Sequence, residues 1–175
     1  MELFLKKDNL VIRTAMPDDA PILCNWWNDG GIMAHAGFPE GIGTTIPAVI
    51  NNLAAENNHV LMLEIDEEPV GEMDYRAVAD DTVEIGIKIC NPAQQEKGYG
   101  TGFLKMLIDF LFLQLGYQKI ILDTNLKNTR AQHVYEKIGF RKVAVHLDSW
   151  KNQLGEPQSS VDYHLIREEY LITPG

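Results

Sequence analysis

A glycine-rich stretch that leads into a long apolar run limits what this chain can fold into more than any other feature. In QQEKGYGTGF (94–103) glycines stand at three alternate positions, and the residues that follow, as far as 115, are mostly apolar apart from Lys105 and Asp109. A helix of this composition is buried on most of its surface and packs on a sheet. Strand-like segments stand before and after it, at 82–89 and 119–124. The pattern therefore predicts a βαβ crossover in the middle of the chain.

The rest of the chain predicts a mixed α/β fold, with a central, mostly antiparallel and twisted sheet flanked by helices. Segments 59–65, 69–77 and 82–89 are separated by short polar turns, which indicates an antiparallel meander, and 140–148 with 159–170 indicates a final antiparallel pair. We expect a single domain over residues 1–175. The other predicted elements are a strand at 9–15, a helix from Pro17 to about Trp27, a loop with short helical pieces at 28–43, a helix at 44–57, and a helix that Asn128 caps and Gly139 ends.

Composition and charge exclude several classes of protein. No apolar run approaches the ~18–20 residues that a membrane-spanning helix needs. The N-terminal sequence lacks the apolar segment and small-residue cleavage site of a secretory signal, so we expect a cytoplasmic protein with no membrane partner. The five histidines show no metal-ligand spacing, so no metal is expected. The net charge of -10 disfavours a nucleic-acid partner and fits a cationic substrate.

Three kinds of phosphate-binding loop are candidates for the glycine stretch. The P-loop is excluded, because no Lys-Ser or Lys-Thr follows the glycines at the required spacing. The dinucleotide-binding fingerprint is disfavoured, because Phe103 stands where its third glycine belongs and eight residues separate the strand from the first glycine. In the third kind, unpaired N–H groups at a helix start bind the anion whatever the net charge. Gly98 and Gly100 would then admit the ligand and Gly102 would allow close packing; a glycine-rich turn without a ligand is the alternative.

Two motifs in the expected order carry a resemblance to a known family. QEKGYG (95–100) fits Q/R-x-x-G-x-G/A, and NTRAQHVYEKIGF (128–140) fits N-x-x-A-x-x-x-Y-x-x-x-G-F, with a helix and a strand between them. These motifs are similar to those of the GNAT acetyltransferase superfamily. The tail LGEPQSSVDYHLIREEY also resembles the RimJ/RimL-like branch, although Asp162 and Tyr163 are adjacent here, which departs from the branch's spacing.

The resemblance implies a GNAT-like fold and an acetyl-CoA-dependent N-acetyltransferase, which is an acyltransferase. Such an enzyme moves an acetyl group directly from its cosubstrate acetyl-CoA to a primary amine, here a protein N-terminus or a small-molecule amine. No metal takes part, and a monomer or a homodimer is expected. A catalytically silent CoA-binding sensor or regulatory module is the alternative, and a nucleotide-binding oxidoreductase is disfavoured by the loop spacing.

The resemblance also implies which residues bind the cosubstrate. Its pyrophosphate would lie on backbone N–H groups at the start of the long helix, and its pantetheine arm would pair like an extra strand with the end of EIGIKI (84–89). Asn128 would contact this arm in addition to capping its own helix. The implied cosubstrate-binding residues are Ile87, Ile89, Gln95, Lys97, Gly98, Tyr99, Gly100, Thr101, Asn128 and Tyr135.

Two residues are implied in catalysis, and each has a structural alternative. Tyr135 lies on the apolar stripe of its helix and would be a core tyrosine without the motif; the motif makes it the acid near the CoA sulfur, since its ordinary pKa of ~10 keeps it protonated. Glu84 matches a strand position that is often a carboxylate base in this superfamily, acting directly or through water. Its alternative is an exposed strand charge paired with Lys88. Glu72 and Asp74 on the neighbouring strand are runners-up as the base, with attraction of a cationic substrate as their expected contribution.

The acceptor pocket is expected from two segments, 26–45 and the hairpin 148–160. The first is rich in aromatic residues that could cover an acceptor, and at least one of its tryptophans is expected in the core. These residues are Trp26, Trp27, His35 and Phe38.

Overall fold

The computed structural model describes residues 2–172, which form eight strands and six helices. The strands are β1 (Phe4–Lys7), β2 (Leu10–Thr14), β3 (His59–Ile65), β4 (Glu68–Ala79), β5 (Thr82–Ile89), β6 (Lys119–Asn125), β7 (Arg141–Lys151) and β8 (Pro157–Ile166). The helices are α1 (Ala20–Trp27), α2 (Gly30–Met33), α3 (Ile46–Leu53), α4 (Tyr99–Asp109), α5 (Thr129–Ile138) and α6 (Arg167–Ile172). A π-helical turn, Phe110–Gln114, continues α4, and 3-10 turns lie at Pro17–Asp19, Ala34–Ala36 and Pro92–Gln94.

The described strands are hydrogen-bonded in the order β1-β2-β3-β4-β5-β6-β8-β7. Neighbouring strands from β1 to β5 are antiparallel, whereas β5 and β6 are parallel and are connected through α4. The predicted mixed α/β fold, with its mostly antiparallel sheet and its central βαβ crossover, is thereby confirmed.

The chain forms two compact units. Within the described residues, the first comprises 2–15, Glu56–Leu122 and 164–172, and the second comprises Met16–Ala55 and Asp123–Tyr163. The prediction of a single domain over residues 1–175 stays a prediction.

In the first unit, the apolar helix α4 packs on β2 and β5. Its Phe103 and Leu107 are fully buried, as its apolar composition predicts. Tyr75 of β4 meets Phe110 in an edge contact, with ring centroids 6.4 Å apart. Because side chains alternate along a strand, the odd-numbered residues of β4 face the helix and the even-numbered ones face away from it. This alternation places a row of charged residues on the opposite face of the sheet.

The C-terminal part of the first unit differs from the prediction. The strand expected over 159–170 ends at Ile166, and Arg167–Ile172 is the helix α6. Arg167 Nε donates to the Phe112 carbonyl in the π-helical turn at 3.2 Å, and Tyr170 donates to Asp109 at 2.9 Å. The REEY sequence consists mostly of good helix formers, and these two contacts hold it as a helix against the end of α4.

The second unit contains the other helices. α1 contacts α2 and α3, and α5 packs on β7. The helix predicted from Pro17 to about Trp27 is confirmed as a 3-10 turn followed by α1. The predicted helical pieces in the loop 28–43 are also confirmed, as α2 and a 3-10 turn.

The N-terminal strand β1 was not predicted. Its sequence FLKK is largely exposed and lacks the alternation of a half-buried strand, so no pattern marks it. It pairs with β2 across a turn in which Asp8 has a φ of 55°. Between residues 2 and 172, no helix is long and apolar enough to cross a membrane.

Candidate active site

The glycine stretch forms an open helix start. Gly98 precedes α4 with a φ of 83°, a left-handed conformation that favours glycine, and no side chain caps the first turn. A Cβ atom on Gly98 or Gly100 would meet no atom of residues 2–172 within 4 Å, whereas one on Gly102 would lie 3.0 Å from Leu10 Cδ1. The first turn of α4 therefore leaves space above its N–H groups, and Gly102 permits packing on β2.

The side chain of Gln95 fixes the loop that leads from β5 into α4. Gln95 Nε2 donates to the Ile89 carbonyl at 2.8 Å, which ties the loop to the end of β5. Asn91 accepts from the Ala93 N–H at 3.0 Å and caps the 3-10 turn in between. Lys97 is exposed beside Gly98. Its ammonium adds a positive charge near the positive end of the helix dipole.

One edge of β5 is open along its C-terminal half. The parallel register with β6 joins Thr82–Glu84 to 119–121 and stops there, whereas the register with β4 continues to Ile89. Among the described strands, none pairs with 85–89 on the side away from β4. The residues predicted to pair with a pantetheine arm, Ile87 and Ile89, lie on this open half. An extended chain could add here as a strand.

The charged face of β4 and β5 consists of three cross-strand rungs. Arg76 forms an ion pair with Glu84 opposite it, and Lys88 forms one with Glu72 at 3.6 Å. The predicted alternative for Glu84 was an ion pair with Lys88 on its own strand. That partner is wrong, because a residue directly across an antiparallel pair is closer than one four positions along a strand.

The middle rung pairs Asp74 with Gly86. A Cβ atom on Gly86 would lie 2.6 Å from Asp74 Oδ1, so the carboxylate lies over the glycine backbone. Burial raises the pKa of Asp74; Lys88 and Arg76 oppose the rise, and Glu84 adds to it. The sequence offered Asp74 only as a runner-up to Glu84, and the glycine opposite it was the available signal of the space around its carboxylate.

The second predicted motif forms α5. Asn128 Oδ1 accepts from the Ala131 N–H at 3.3 Å, so the predicted N-cap is confirmed. Gly139 ends the helix with a φ of 122°. Tyr135 is buried and packs on Phe140 and Tyr163, with ring centroids 5.9 Å and 5.8 Å away.

The environment of Tyr135 raises the pKa of its hydroxyl group. Burial raises its pKa to about 12, and the nearby groups Asp123 and Tyr163 add to the rise. The hydroxyl of Tyr163 is itself buried, and burial followed by the nearby carboxylate of Glu136 raises its pKa as well. Tyr135 is therefore protonated at neutral pH, which a proton donor requires.

The two segments predicted to shape the acceptor pocket lie against each other in the second unit. Trp150 covers Gly37, where an added Cβ would lie 2.5 Å from its ring. Gln153 Nε2 donates to the Gly41 carbonyl at 2.9 Å, and its Oε1 accepts from the Glu40 N–H at 2.9 Å. The sequence did not single out Trp150 or Gln153. Both lie in the β7–β8 hairpin, and their partners are more than a hundred positions away, so no local pattern marks them.

The aromatic residues of the first segment are less buried than expected. Trp26 and Trp27 are both half-buried, so the expectation of a tryptophan in the core is wrong. The His35 ring is exposed, and its carbonyl accepts from Asn125 Nδ2 at 3.3 Å.

The predicted site residues thus fall into two groups. The β5 edge, the helix start of α4 and Glu84 lie in the first unit, and Asn128 and Tyr135 lie in the second. Across residues 2–172, no group of three or more His, Cys, Asp or Glu residues is arranged to hold a metal ion.

The fold is that of solved N-acetyltransferases. The structure matches a Vibrio cholerae spermidine N-acetyltransferase, solved with CoA and spermine, with a TM-score of 0.82 and 20% identity over 94% of this chain and 99% of that one. It matches RimL, a ribosomal L7/L12 alpha-N-protein acetyltransferase solved with coenzyme A, with a TM-score of 0.83 and 12% identity over 94% and 98%.

Sequence comparison agrees with the fold. The chain is 27% identical over 154 residues to an aminoglycoside N(6')-acetyltransferase type 1 of Klebsiella pneumoniae, which covers 77% of this chain and 75% of that protein. The model of the GNAT acetyltransferase domain matches residues 9–141. The chain belongs to the GNAT acetyltransferase family, as its two motifs predicted, and it is an acyltransferase.

Proposed function

We propose that this acetyltransferase moves an acetyl group from acetyl-CoA to a primary amine by direct transfer. The observation that carries the proposal is the uncapped start of α4, which stands open to a ligand at Gly98 and Gly100. The open edge of β5 lies in the same unit and is tied to this loop through Gln95. A helix start suits a pyrophosphate and an open strand edge suits an extended amide-bearing arm.

In this proposal, the residues of the first unit bind and orient the cosubstrate. The N–H groups from Gly98 to Thr101, including those of Tyr99 and Gly100, bind the pyrophosphate, and Lys97 adds a cation. The backbone at Ile87 and Ile89 pairs with the pantetheine arm. Bound acetyl-CoA supplies an activated thioester, and an N–H group of the same edge would polarise its carbonyl.

The residues of the second unit complete the proposed roles. Asn128 contacts the pantetheine arm in addition to capping α5. Tyr135 holds a proton at its hydroxyl and donates it to the departing thiolate. The pKa of about 12 keeps this proton in place at neutral pH, so the donor is present in every turnover.

The acceptor is proposed to be a cationic amine. The net charge of -10 favours such substrates over anionic ones. Relatives of this chain are named for aminoglycoside and spermidine, and for a ribosomal protein's α-amino group. A polyamine-like or aminoglycoside-like small molecule fits the charge, and a protein N-terminus fits the RimJ/RimL-like tail. The branch assignment, the cytoplasmic location and the monomer or homodimer state remain predictions.

Ligand stabilisation tests the proposal first. A ligand that binds only the native state stabilises it by about 2.7 kcal/mol at a hundred times its Kd, so acetyl-CoA should raise the melting temperature and NAD should not. The absence of a shift with acetyl-CoA would contradict the proposal. A thiol-release screen with spermidine, an aminoglycoside and a short peptide with a free N-terminus then separates an enzyme from a CoA-binding sensor, which would bind acetyl-CoA without releasing thiol.

A further inference from the structure

On the charged face of β4 and β5, the carboxylate of Asp74 lies between two ion pairs. Arg76 is committed to Glu84 and Lys88 to Glu72, at the two outer rungs. Asp74, on the middle rung, makes no hydrogen bond or ion pair with any residue between 2 and 172. A carboxylate with both neighbouring cations engaged is the group on this face that can accept a partner from outside the protein.

The rung opposite Asp74 leaves room for such a partner. Gly86 carries no side chain, and the Asp74 carboxylate occupies part of the space that one would take. On the other side, β3 places Val60 opposite Asp74, which offers neither a charge nor a hydrogen bond. The ionisable groups that face Asp74 are therefore Lys88 and Glu84 on β5, with Glu72 and Arg76 on its own strand.

The position of this rung along β5 fits the transfer chemistry. Gly86 immediately precedes Ile87, where the open edge of β5 continues. In the proposed function, this edge orients the arm that carries the acetyl group. A base must lie within hydrogen-bond reach of the proton that it removes. The Asp74 carboxylate lies over Gly86, on the open half of β5, and is available to a substrate, whereas Glu84 is paired with Arg76.

We infer that Asp74 binds the ammonium group of the acceptor amine and takes its proton before transfer, in place of Glu84. This inference rests on the proposed function. The Asp74 carboxylate gains an ionic hydrogen bond when the ammonium arrives. This bond offsets the free-energy cost of holding a partly desolvated charge without a partner. The raised pKa of Asp74 brings its affinity for the proton closer to that of an amine.

The step is balanced in atoms and charge. The ammonium gives one proton to the Asp74 carboxylate, and the neutral nitrogen attacks the thioester carbonyl carbon. The C–N bond forms and the C–S bond breaks, with the bonding electrons leaving on sulfur. The nitrogen's second proton passes to solvent as the amide forms, and Tyr135 gives its proton to the thiolate and regains one from solvent. Asp74 returns its proton to solvent.

The test compares Asp74→Asn, which keeps the shape of the side chain, with Asp74→Glu, Glu84→Gln and Glu64→Gln. Glu64 is the matched control, since it is an acid on the same unit and is paired with Arg13 at 2.9 Å. A positioned general base contributes about 100-fold or more, so we expect kcat/KM for the best amine of the screen to fall by that factor in Asp74→Asn. Glu64→Gln should stay within about twofold, and Asp74→Glu should retain more activity than Asp74→Asn.

Two further readouts separate catalysis from a structural effect. Asp74→Asn should keep the wild-type melting temperature and its shift with acetyl-CoA. Its pH profile of kcat/KM should lose the acid limb that reports the Asp74 carboxylate. Unchanged activity in Asp74→Asn, or a loss confined to Glu84→Gln, would overturn the inference while leaving the proposed function intact.

If no amine is acetylated, the proposed function fails, and calorimetric titration with spermidine then decides the role of Asp74. Weaker binding to Asp74→Asn than to wild type would support an ammonium site. Equal affinity of the two proteins would overturn it.

Discussion

Tyr135 combines the burial of a core residue with the protonated hydroxyl that its proposed role as a proton donor requires. Its ring packs between Phe140 and Tyr163, and the same burial that stabilises the ring raises the pKa of the hydroxyl to about 12. The sequence posed these two roles as alternatives. In the structure they support each other, because an apolar surrounding is what keeps the phenol protonated.

Removal of the Tyr135 hydroxyl tests the donor role. We expect Tyr135→Phe to lower kcat by about 100-fold with little change in the KM for acetyl-CoA, since the proton is needed only as the thiolate departs. Steady-state kinetics on the best amine give both constants. Turnover equal to wild type would contradict the donor role.

Alkaline stability checks the pKa of Tyr135 independently of turnover. The unfolded tyrosine ionises near pH 10 and the folded one near 12, so its contribution to stability is complete below pH 10 and is lost as the pH rises through 12. The free energy of unfolding should therefore fall more steeply above pH 10 in wild type than in Tyr135→Phe. Urea titrations at several pH values measure the difference, in which the other tyrosines cancel. Parallel curves would contradict the raised pKa.

At the level of elements, two glycines at the start of α4 are expected to serve different purposes: Gly102 permits packing, and Gly100 leaves space for a ligand. Gly102 lies against Leu10, so its lack of a side chain serves packing. Gly100 has no positive φ, and no neighbour in the described part of the chain would touch a methyl group there. No contact within residues 2–172 explains a glycine there, so we expect a ligand to be the reason for it.

Gly100→Ala should therefore act in opposite directions on stability and on binding. Alanine in place of glycine stabilises a helix by roughly 0.5–1 kcal/mol, so the free protein should melt at the same or a higher temperature. The added methyl group would stand in the space above the N–H groups and weaken acetyl-CoA binding. Differential scanning fluorimetry with and without acetyl-CoA measures both effects.

Gly102→Ala is the matched control. Its methyl group would press on Leu10 and slightly destabilise the free protein, yet the shift with acetyl-CoA should remain. A full acetyl-CoA shift in Gly100→Ala would show that the pyrophosphate does not lie on this helix start.

The sequence predicted elements well where periodicity and capping residues were strong. α4 and α5 have an apolar surface or stripe with glycine or asparagine at the ends, and both helices lie where expected. The sequence did not predict β1 or α6, for two different reasons. β1 is exposed and gains its structure from pairing with β2, and α6 depends on contacts with Phe112 and Asp109 that lie more than fifty residues away.

In the candidate site, too, the sequence predicted local patterns but not contacts between distant residues. Its motif residues were predictable, since glycine spacing and a helix stripe are local patterns. The ion pairs of Glu84 and Glu72 depend on which residues face each other across β4 and β5, and a turn of one residue more would change every partner. For this reason the unpaired carboxylate at Asp74 emerged only from the strand register.

For the whole molecule, the charge of -10 is expected to attract the proposed cationic acceptor and to repel acetyl-CoA. The chain has 25 acidic and 15 basic residues, so its field attracts a polyamine and repels the anionic acetyl-CoA. The helix dipole and Lys97 act at short range, so in the proposed site they would let the anion bind once it has arrived. The long-range field and the local site are therefore expected to respond differently to salt.

Ionic strength should separate these effects in one experiment. Raising it from about 0.01 M to about 0.15 M shortens the Debye length from roughly 30 Å to roughly 8 Å, which removes most of the long-range field. We expect kcat/KM for spermidine to fall several-fold, whereas kcat/KM for acetyl-CoA should stay constant or rise. A monoamine of similar reactivity is the control and should show a much weaker dependence, because its single charge is steered less strongly. If spermidine and the monoamine responded to salt equally, the acidic surface would have no part in substrate selection, and the net charge would serve solubility alone.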